Sequence, residues 1–136
     1  MKLVENKIIY WEFIRDLRND TNVKKGFISQ KYISPEEHAN HMHSFNHCYY
    51  ICLGSDTDEG NLPLGYCGVI DEDIRVATSP EHQGKGVGVF MIRELASRHP
   101  NAFAKVKIEN KASLSLFQKC GFKKKYYILE KTEGAQ

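Results

Sequence analysis

The pattern of apolar and polar positions predicts two helices in the first third of the chain. Apolar residues recur at helical spacing from Ile9 to Leu17. A second helix to about Asn46 is predicted by the segment Ser34-Pro35-Glu36-Glu37, which has a serine N-cap, a proline at the first helical position and a glutamate three residues after the cap. Residues 2–4 are either a very short first strand or a frayed start.

Alternating apolar positions rich in aromatic and β-branched residues predict strands in the rest of the chain, over residues 48–53, 64–70, 74–78, 102–108 and 126–129. A polar loop is predicted over residues 54–63, and helices to about Arg98 and over residues 111–119. This order predicts an α/β domain around one mixed sheet, with residues 1–136 forming a single domain.

A glycine-rich loop follows the strand at residues 74–78. Gly84, Gly86 and Gly88 allow a sharp turn, and helical spacing resumes from Val87. A helix N-terminus has free N–H donors and a partial positive charge, and Lys85 adds a cation, so we expect an anion site, most simply for a di- or polyphosphate. The loop matches neither the P-loop pattern nor the G-x-G-x-x-G dinucleotide pattern.

Two blocks in this order carry a family resemblance. Gln83-Gly84-Lys85-Gly86-Val87-Gly88 resembles the Q/R-x-x-G-x-G/A pyrophosphate loop of the GNAT superfamily, the acetyl-CoA-dependent N-acyltransferases. Residues 110–122, from Asn110 to Gly121-Phe122, resemble the N-x-x-S/A…k-x-G-F element of the same family. The resemblance implies a GNAT-like domain with a mixed, mostly antiparallel sheet flanked by helices.

The resemblance also implies where acetyl-CoA, the cosubstrate, would bind. Backbone groups of the strand would pair with the pantetheine amides, the glycine loop would hold the pyrophosphate, and the start of the last helix would reach the pantetheine. A lysine run at residues 123–125 is more simply a solvated face. The implied cofactor-binding residues are Val76, Thr78, Gln83, Gly84, Lys85, Gly86, Val87, Gly88, Asn110, Ser113, Phe117 and Lys119.

Acyl transfer to an amine needs a base for the amine and a proton source for the departing thiolate. Glu72 lies 11 positions before Gln83, which resembles the position of the general-base glutamate in the histone-acetylating branch. We expect Glu72 to be the base and Asp73 to be the second choice; the alternative is that residues 71–73 are a solvated turn. Phe117 stands where many family members have a tyrosine, so the proton donor is open between Tyr126, His82, water and unassisted departure.

The acceptor is suggested by less specific segments. Arg18-Asn19-Asp20 resembles a segment of GNAT members that acetylate amino sugars or protein N-termini. Ile33–His38 resembles the branch that acetylates nucleotide-linked amino sugars, of the pseudaminic acid pathway type. A plain helix end with a polar turn is an equal explanation of the first segment. Protein N-terminal amines and small-molecule amines are alternatives, as is a non-catalytic CoA-binding module. A homodimer is also left open.

Composition excludes several other classes. The net charge of +2, from 19 basic and 17 acidic residues, gives no argument for nucleic acid or a membrane surface. Histidines 38, 41, 43 and 47 lack the spacing of a closed metal site, so we expect no metal. The four cysteines form no C-x-x-C pair, which favours buried reduced thiols. Together with the absence of a signal or membrane-spanning segment, this predicts a cytoplasmic protein.

Overall fold

Four antiparallel strands form the sheet in the computed structural model, which describes residues 1–54 and 61–133. The strands lie side by side in chain order, so every neighbour is also the next strand in sequence. Their bounds are β1 Lys2–Glu5, β2 Tyr49–Leu53, β3 Pro63–Ile70 and β4 Asp73–Thr78. The predicted short first strand is therefore present.

In the described residues the sheet is accompanied by five α-helices: α1 Ile8–Asn19, α2 Thr21–Lys24, α3 Pro35–Phe45, α4 Val87–Arg98 and α5 Lys111–Lys119. There are also 3₁₀ turns at Asn46–Cys48 and Pro80–His82. The predicted cap of α3 is confirmed, because the Ser34 hydroxyl accepts a hydrogen bond from the Glu37 N–H at 3.1 Å. Asp20 caps α2 by accepting from the N–H groups of Asn22 and Val23. These local bonds fix where both helices begin.

The two faces of the sheet pack against different helices. We call the face covered by α1, α2 and α3 the first face; its core includes Ile14, Met42 and Ile51. The second face is covered by α4 and α5, with Met91 and Leu95 among its fully buried side chains. Alternation along each strand sends successive side chains to opposite faces, and this is why one sheet supports two cores.

Two predicted strands differ from the structure. Residues 102–108 form only one parallel bridge, between Phe103 and Asp73, although Ala102, Ala104 and Val106 keep a strand-like alternation against the second core. Residues 126–129 have no strand, and their side chains are 70–92% exposed. A strand exists only through ladder hydrogen bonds, and within the described part of the chain no neighbouring strand lies alongside this segment.

The four cysteines are free thiols. Cys52 and Cys67 are fully buried on the second face, where burial raises the pKa of Cys52 to about 11 and raises the pKa of Cys67 as well. Burial also raises the pKa of the partly exposed Cys48 and Cys120. All four therefore behave as protonated thiols near neutral pH.

Most of the predicted loop at residues 54–63 lies outside the described residues, which omit 55–60. Among the residues that are described, no helix is long and apolar enough to cross a membrane. Nor does any group of three or more histidine, cysteine, aspartate or glutamate side chains in residues 1–54 and 61–133 form a metal-binding set.

Candidate active site

The site starts from the outer edge of β4. The Ile74 N–H donates to the Phe103 carbonyl at 2.9 Å, and the Phe103 N–H donates to the Glu72 carbonyl at 2.8 Å. Backbone groups of alternate residues point to the same side of a strand, so those of Val76 and Thr78 point the same way as those of Ile74. Past Phe103 no backbone group of the described residues pairs with them, and the Thr78 carbonyl accepts only from the Gln83 side chain, at 3.4 Å. An extended chain carrying amide groups could add to this open edge.

The glycine loop lies at the end of that edge. Gly84 and Gly86 have φ of 76° and 83°, a conformation that favours glycine, and a Cβ at either position would meet no atom within 4 Å. Gly86 is the N-cap of α4, and no side chain caps the first N–H groups of this helix. Free donors and open space together fit a phosphate group. The residues present therefore fit the pyrophosphate of acetyl-CoA.

Gly88 serves packing instead. A Cβ at Gly88 would lie 2.9 Å from Leu116 Cδ2 of α5, so the missing side chain allows α4 and α5 to approach closely. The adjacent Val87 is 3% exposed and belongs to the second core. Only the backbone of Val87 is thus available to a ligand at the helix N-terminus.

Gln83, Lys85 and Lys119 are polar residues of the predicted cofactor site, and of these one is hydrogen-bonded within the protein and two are exposed without an ion-pair partner in the described residues. Gln83 Nε2 donates to the Thr78 carbonyl at 3.4 Å, linking the loop to the end of β4. Lys85 and Lys119 are exposed, and no carboxylate in residues 1–54 and 61–133 lies within 4.0 Å of either ammonium group. Both lysines are therefore available to an anionic ligand.

Asn110 and Ser113 have a structural role at the start of α5. Asn110 Oδ1 accepts from the Ser113 N–H at 3.1 Å, which caps the helix. Asn110 Nδ2 donates to the Gly26 carbonyl at 3.3 Å, which ties α5 to the chain after α2. Phe117, on the same helix, is 6% exposed and packs edge-to-face on Phe122 at 5.3 Å between ring centroids. Its position is that of a core residue.

The predicted catalytic residues are spread over two regions. Glu72 is an exposed residue of the β3–β4 turn with φ of 68°, and the Asp73 carboxylate lies 3.7 Å from Lys105 Nζ. The phenol ring of Tyr126 is 82% exposed, with Lys125 Nζ 5.3 Å from its centroid. The structure does not bring Tyr126 into a strand beside the β4 edge, so its catalytic role stays a prediction.

Sequence reasoning missed a polar cluster on the first face. Tyr49 and Tyr66 are 2% and 4% exposed, and the Tyr49 hydroxyl is 2.8 Å from His41 Nε2. The side chains of Arg18 and Arg75 are half-buried beside them. A signal was present, because Arg75 interrupts the apolar run from Ile74 to Ala77 in a strand that is buried on both faces.

The electrostatics of this cluster are set by burial and by the two arginines. Burial, with smaller contributions from the charges of Arg18 and Arg75, lowers the pKa of His41 to about 4. Burial raises the pKa of Tyr49, which the same two charges partly oppose. Burial also lowers the pKa of His38, whose Nε2 bonds the Trp11 carbonyl at 2.7 Å. Both histidines are therefore neutral near pH 7.

Comparison with protein families identifies the chain. Residues 11–122 match the model of the acetyltransferase (GNAT) family. This chain belongs to the GNAT family. It is therefore an acetyl-CoA-dependent N-acetyltransferase, as the order of its two sequence blocks predicted. Among curated proteins, none matches this sequence significantly.

Solved structures show the same fold at low identity. The spermidine N-acetyltransferase of Vibrio cholerae, solved with CoA and spermine, is 20% identical with a TM-score of 0.80 over 96% of this chain and 85% of that one. A ribosomal-protein-alanine N-acetyltransferase from Brucella melitensis is 13% identical, with a TM-score of 0.74 over 90% and 85% of the two chains. A phosphinothricin acetyltransferase from Sinorhizobium meliloti, solved with acetyl-CoA, is 18% identical, with a TM-score of 0.73 over 90% and 74%. The three differ in acceptor, so they establish the fold and leave the acceptor of this GNAT protein to its own residues.

Proposed function

We propose that this GNAT protein acetylates a primary amine on a nucleotide-linked amino sugar. The observation that supports this acceptor is a contact between Arg18-Asn19-Asp20 and Ile33–His38, two segments with a resemblance to members that acetylate amino sugars. Asn19 bonds both backbone groups of Ile33, accepting from its N–H at 2.8 Å and donating to its carbonyl at 2.9 Å. Arg18 Nη1 lies 3.3 Å from His38 Nδ1. The two segments thus lie against each other beside the sheet.

We propose the following roles on the cosubstrate side. Acetyl-CoA supplies the acetyl group as a thioester. The Val76 and Thr78 backbones hold the pantetheine arm along the open edge of β4, and the N–H groups of residues 83–88 hold the pyrophosphate. Lys85 and Lys119 add positive charge for the phosphates. Asn110, Ser113 and Phe117 act indirectly, because they fix the position of α5 beside the pantetheine arm.

On the acceptor side, Glu72 is proposed to remove the proton from the ammonium group, directly or through water. Its carboxylate has no ion pair among the described residues, whereas that of Asp73 is paired with Lys105. A free carboxylate is the better proton acceptor because it does not have to leave a cation. Tyr126 remains the proposed proton donor to the departing sulfur, together with the alternatives of water or none.

The test is thiol release from acetyl-CoA with a UDP-linked amino sugar, a polyamine and an alanine-starting peptide as acceptors. We expect turnover on the sugar nucleotide and a kcat lower by about 10²–10⁴-fold in Glu72→Gln, with CoA affinity retained. Asp71→Asn removes the same charge from the same turn and is the matched control. Asp73→Asn and Tyr126→Phe test the other two assignments in parallel.

Each alternative has a distinct outcome. Turnover that survives in Glu72→Gln but fails in Asp73→Asn would move the base by one residue. Calorimetric binding of acetyl-CoA with no acceptor consumed would favour a non-catalytic binding module. Turnover on the peptide alone would replace the sugar acceptor with a protein N-terminus.

A polyamine is a second candidate because of one cleft. A cavity of about 460 Å³ lies between α1 and the segment 79–82, and Asp16, Asp20 and Glu81 line it. Carboxylates suit a cationic amine, and the Vibrio cholerae structure contains spermine. Preferred turnover on spermidine, reduced in Asp16→Asn, would support this candidate over the sugar nucleotide.

A further inference from the structure

Two arginines on the first face converge from distant parts of the sequence. Tyr49 of β2 is paired with Gly68 of β3, and Gly68 is paired with Arg75 of β4. Residues paired directly across strands point to the same face, so Tyr49 and Arg75 flank Gly68 on one side of the sheet. Gly68 has no side chain to separate them. The Arg75 side chain therefore lies over the sheet next to Tyr49.

Arg18 reaches the same point from α1. Its Nη1 lies 3.3 Å from Nδ1 of His38, one turn before His41 on α3. In keeping with that position, the charges of Arg18 and Arg75 both lower the pKa of His41 and oppose the rise in the pKa of Tyr49. His41 and Tyr49 are themselves hydrogen-bonded to each other at 2.8 Å. Two positive charges thus share one small polar region, and this costs free energy unless a negative charge accompanies them.

No described residue supplies that negative charge at ion-pair distance, although the charges of Asp71 and Glu12 reach the neighbouring Cys48 and His38. No carboxylate oxygen in residues 1–54 and 61–133 lies within 4.0 Å of either guanidinium, although Arg15 and Arg98 each have a glutamate partner. Arg18 Nη1 instead lies 3.3 Å from Nδ1 of neutral His38. Guanidinium groups match carboxylate and phosphate in geometry and charge.

The two arginines lie close to the edge of β4 where the acetyl group is proposed to be transferred. Arg75 directly precedes Val76, whose backbone groups face the open edge of β4, and the two side chains leave the strand on opposite faces. If an acceptor binds on the first face with its amine near this edge, an acidic group elsewhere on the same acceptor molecule can reach the two arginines. We propose that Arg18 and Arg75 together bind an acidic group, carboxylate or phosphate, on the amine acceptor. This inference rests on the proposed function: in it, the two arginines select the acceptor by its charge.

The experiment compares matched amines that differ only in an acidic group. Glucosamine 6-phosphate is compared with glucosamine, and an amino acid with its amide, by kcat/KM and by calorimetric binding in the presence of CoA. We expect the wild-type protein to prefer the acidic member of at least one pair. In Arg75→Gln and Arg18→Gln that preference falls on the order of 10- to 100-fold, mainly through KM. Arg75→Lys keeps the charge and is expected to retain part of it.

Arg15→Gln is the matched control, since Arg15 lies on the same helix as Arg18 but is paired with exposed Glu12. It is expected to leave the preference unchanged, and CoA affinity with the melting temperature reports whether each variant is folded. The phosphate pair and the carboxylate pair show which acid the site takes. Equal binding of acidic and neutral amines by the wild-type protein would overturn the inference, as would an unchanged preference in both glutamine variants. If no amine is acetylated, the proposed function fails, and calorimetry still decides whether the arginines bind an acid.

Discussion

The proposed cosubstrate region is formed by backbone groups, whereas the polar cluster on the first face of the sheet is formed by side chains. The proposed cosubstrate region consists of backbone groups: the open edge of β4, two glycines with positive φ and an uncapped helix N-terminus. The polar cluster on the first face consists of side chains from five elements, including Arg18, Tyr49 and Arg75. A backbone site binds the part of a ligand that all acetyltransferases share, whereas a side-chain site varies with single substitutions. The contrast explains why the fold is shared with structures 13–20% identical whose acceptors differ.

The largest effect is expected from a substitution at a glycine whose backbone conformation shapes the loop. Gly86→Val puts a β-branched side chain at φ of 83°, which such residues adopt only with strain, so the start of α4 must rearrange. We expect CoA affinity to fall about 100-fold, or roughly 2.7 kcal/mol, by calorimetry. Gly54→Ala is the control, because its Cβ would make only ordinary contact with Leu64 at 3.6 Å. Unchanged CoA affinity in Gly86→Val would show that the loop does not hold the cosubstrate.

A second substitution tests the first face in the same way. A Cβ at Gly68 would lie 2.5 Å from the Cys48 carbonyl and 3.1 Å from Tyr49 Cδ1. Gly68→Ala must therefore displace β2 or the tyrosine ring, and we expect a loss of about 1–3 kcal/mol in the free energy of unfolding. Urea denaturation measures the loss. The acceptor KM is expected to rise while CoA affinity changes little, and an equal loss of both would mean that the two regions are not independent.

The smallest effect concerns pH. The pKa of His41 falls from its ordinary value of 6.5 to about 4 in the folded protein, so the unfolded chain takes up this proton first as the pH drops. The contribution to stability is complete above pH 6.5 and is lost progressively between pH 6.5 and about 4. We expect the urea midpoint to fall over this interval, by less than the ~1.4 kcal/mol per pH unit of one fully coupled proton, because the ring is only half-buried.

The matched pair for this measurement is His41→Gln against His47→Gln, an exposed histidine. The first variant should flatten the pH dependence, and the second should leave it as in the wild type. Equal slopes in both variants and the wild type would assign the pH dependence to other groups, of which His38 is the next candidate.

Local chemistry explains what the sequence could predict. The cap at Ser34, the glycine loop and the alternation of β2, β3 and β4 are each encoded within a few residues, and all are present in the structure. The predicted strand at residues 126–129 has the right residue types, but a strand also needs a neighbour, and side-chain pattern carries no information about that. The convergence of Arg18 and Arg75 depends on strand register and helix packing across 57 positions, which no local pattern encodes.

The burial of the cysteines has a practical consequence for measurement. Colorimetric reagents for free sulfhydryls react with thiolates, and Cys52 and Cys67 are both shielded from solvent and held in the protonated form. Cys48 and Cys120 are partly exposed, but their raised pKa lowers the fraction of thiolate and so slows their reaction near neutral pH. A continuous assay with such a dye should therefore show a low protein background. The increase in absorbance would therefore measure the CoA released by the reaction.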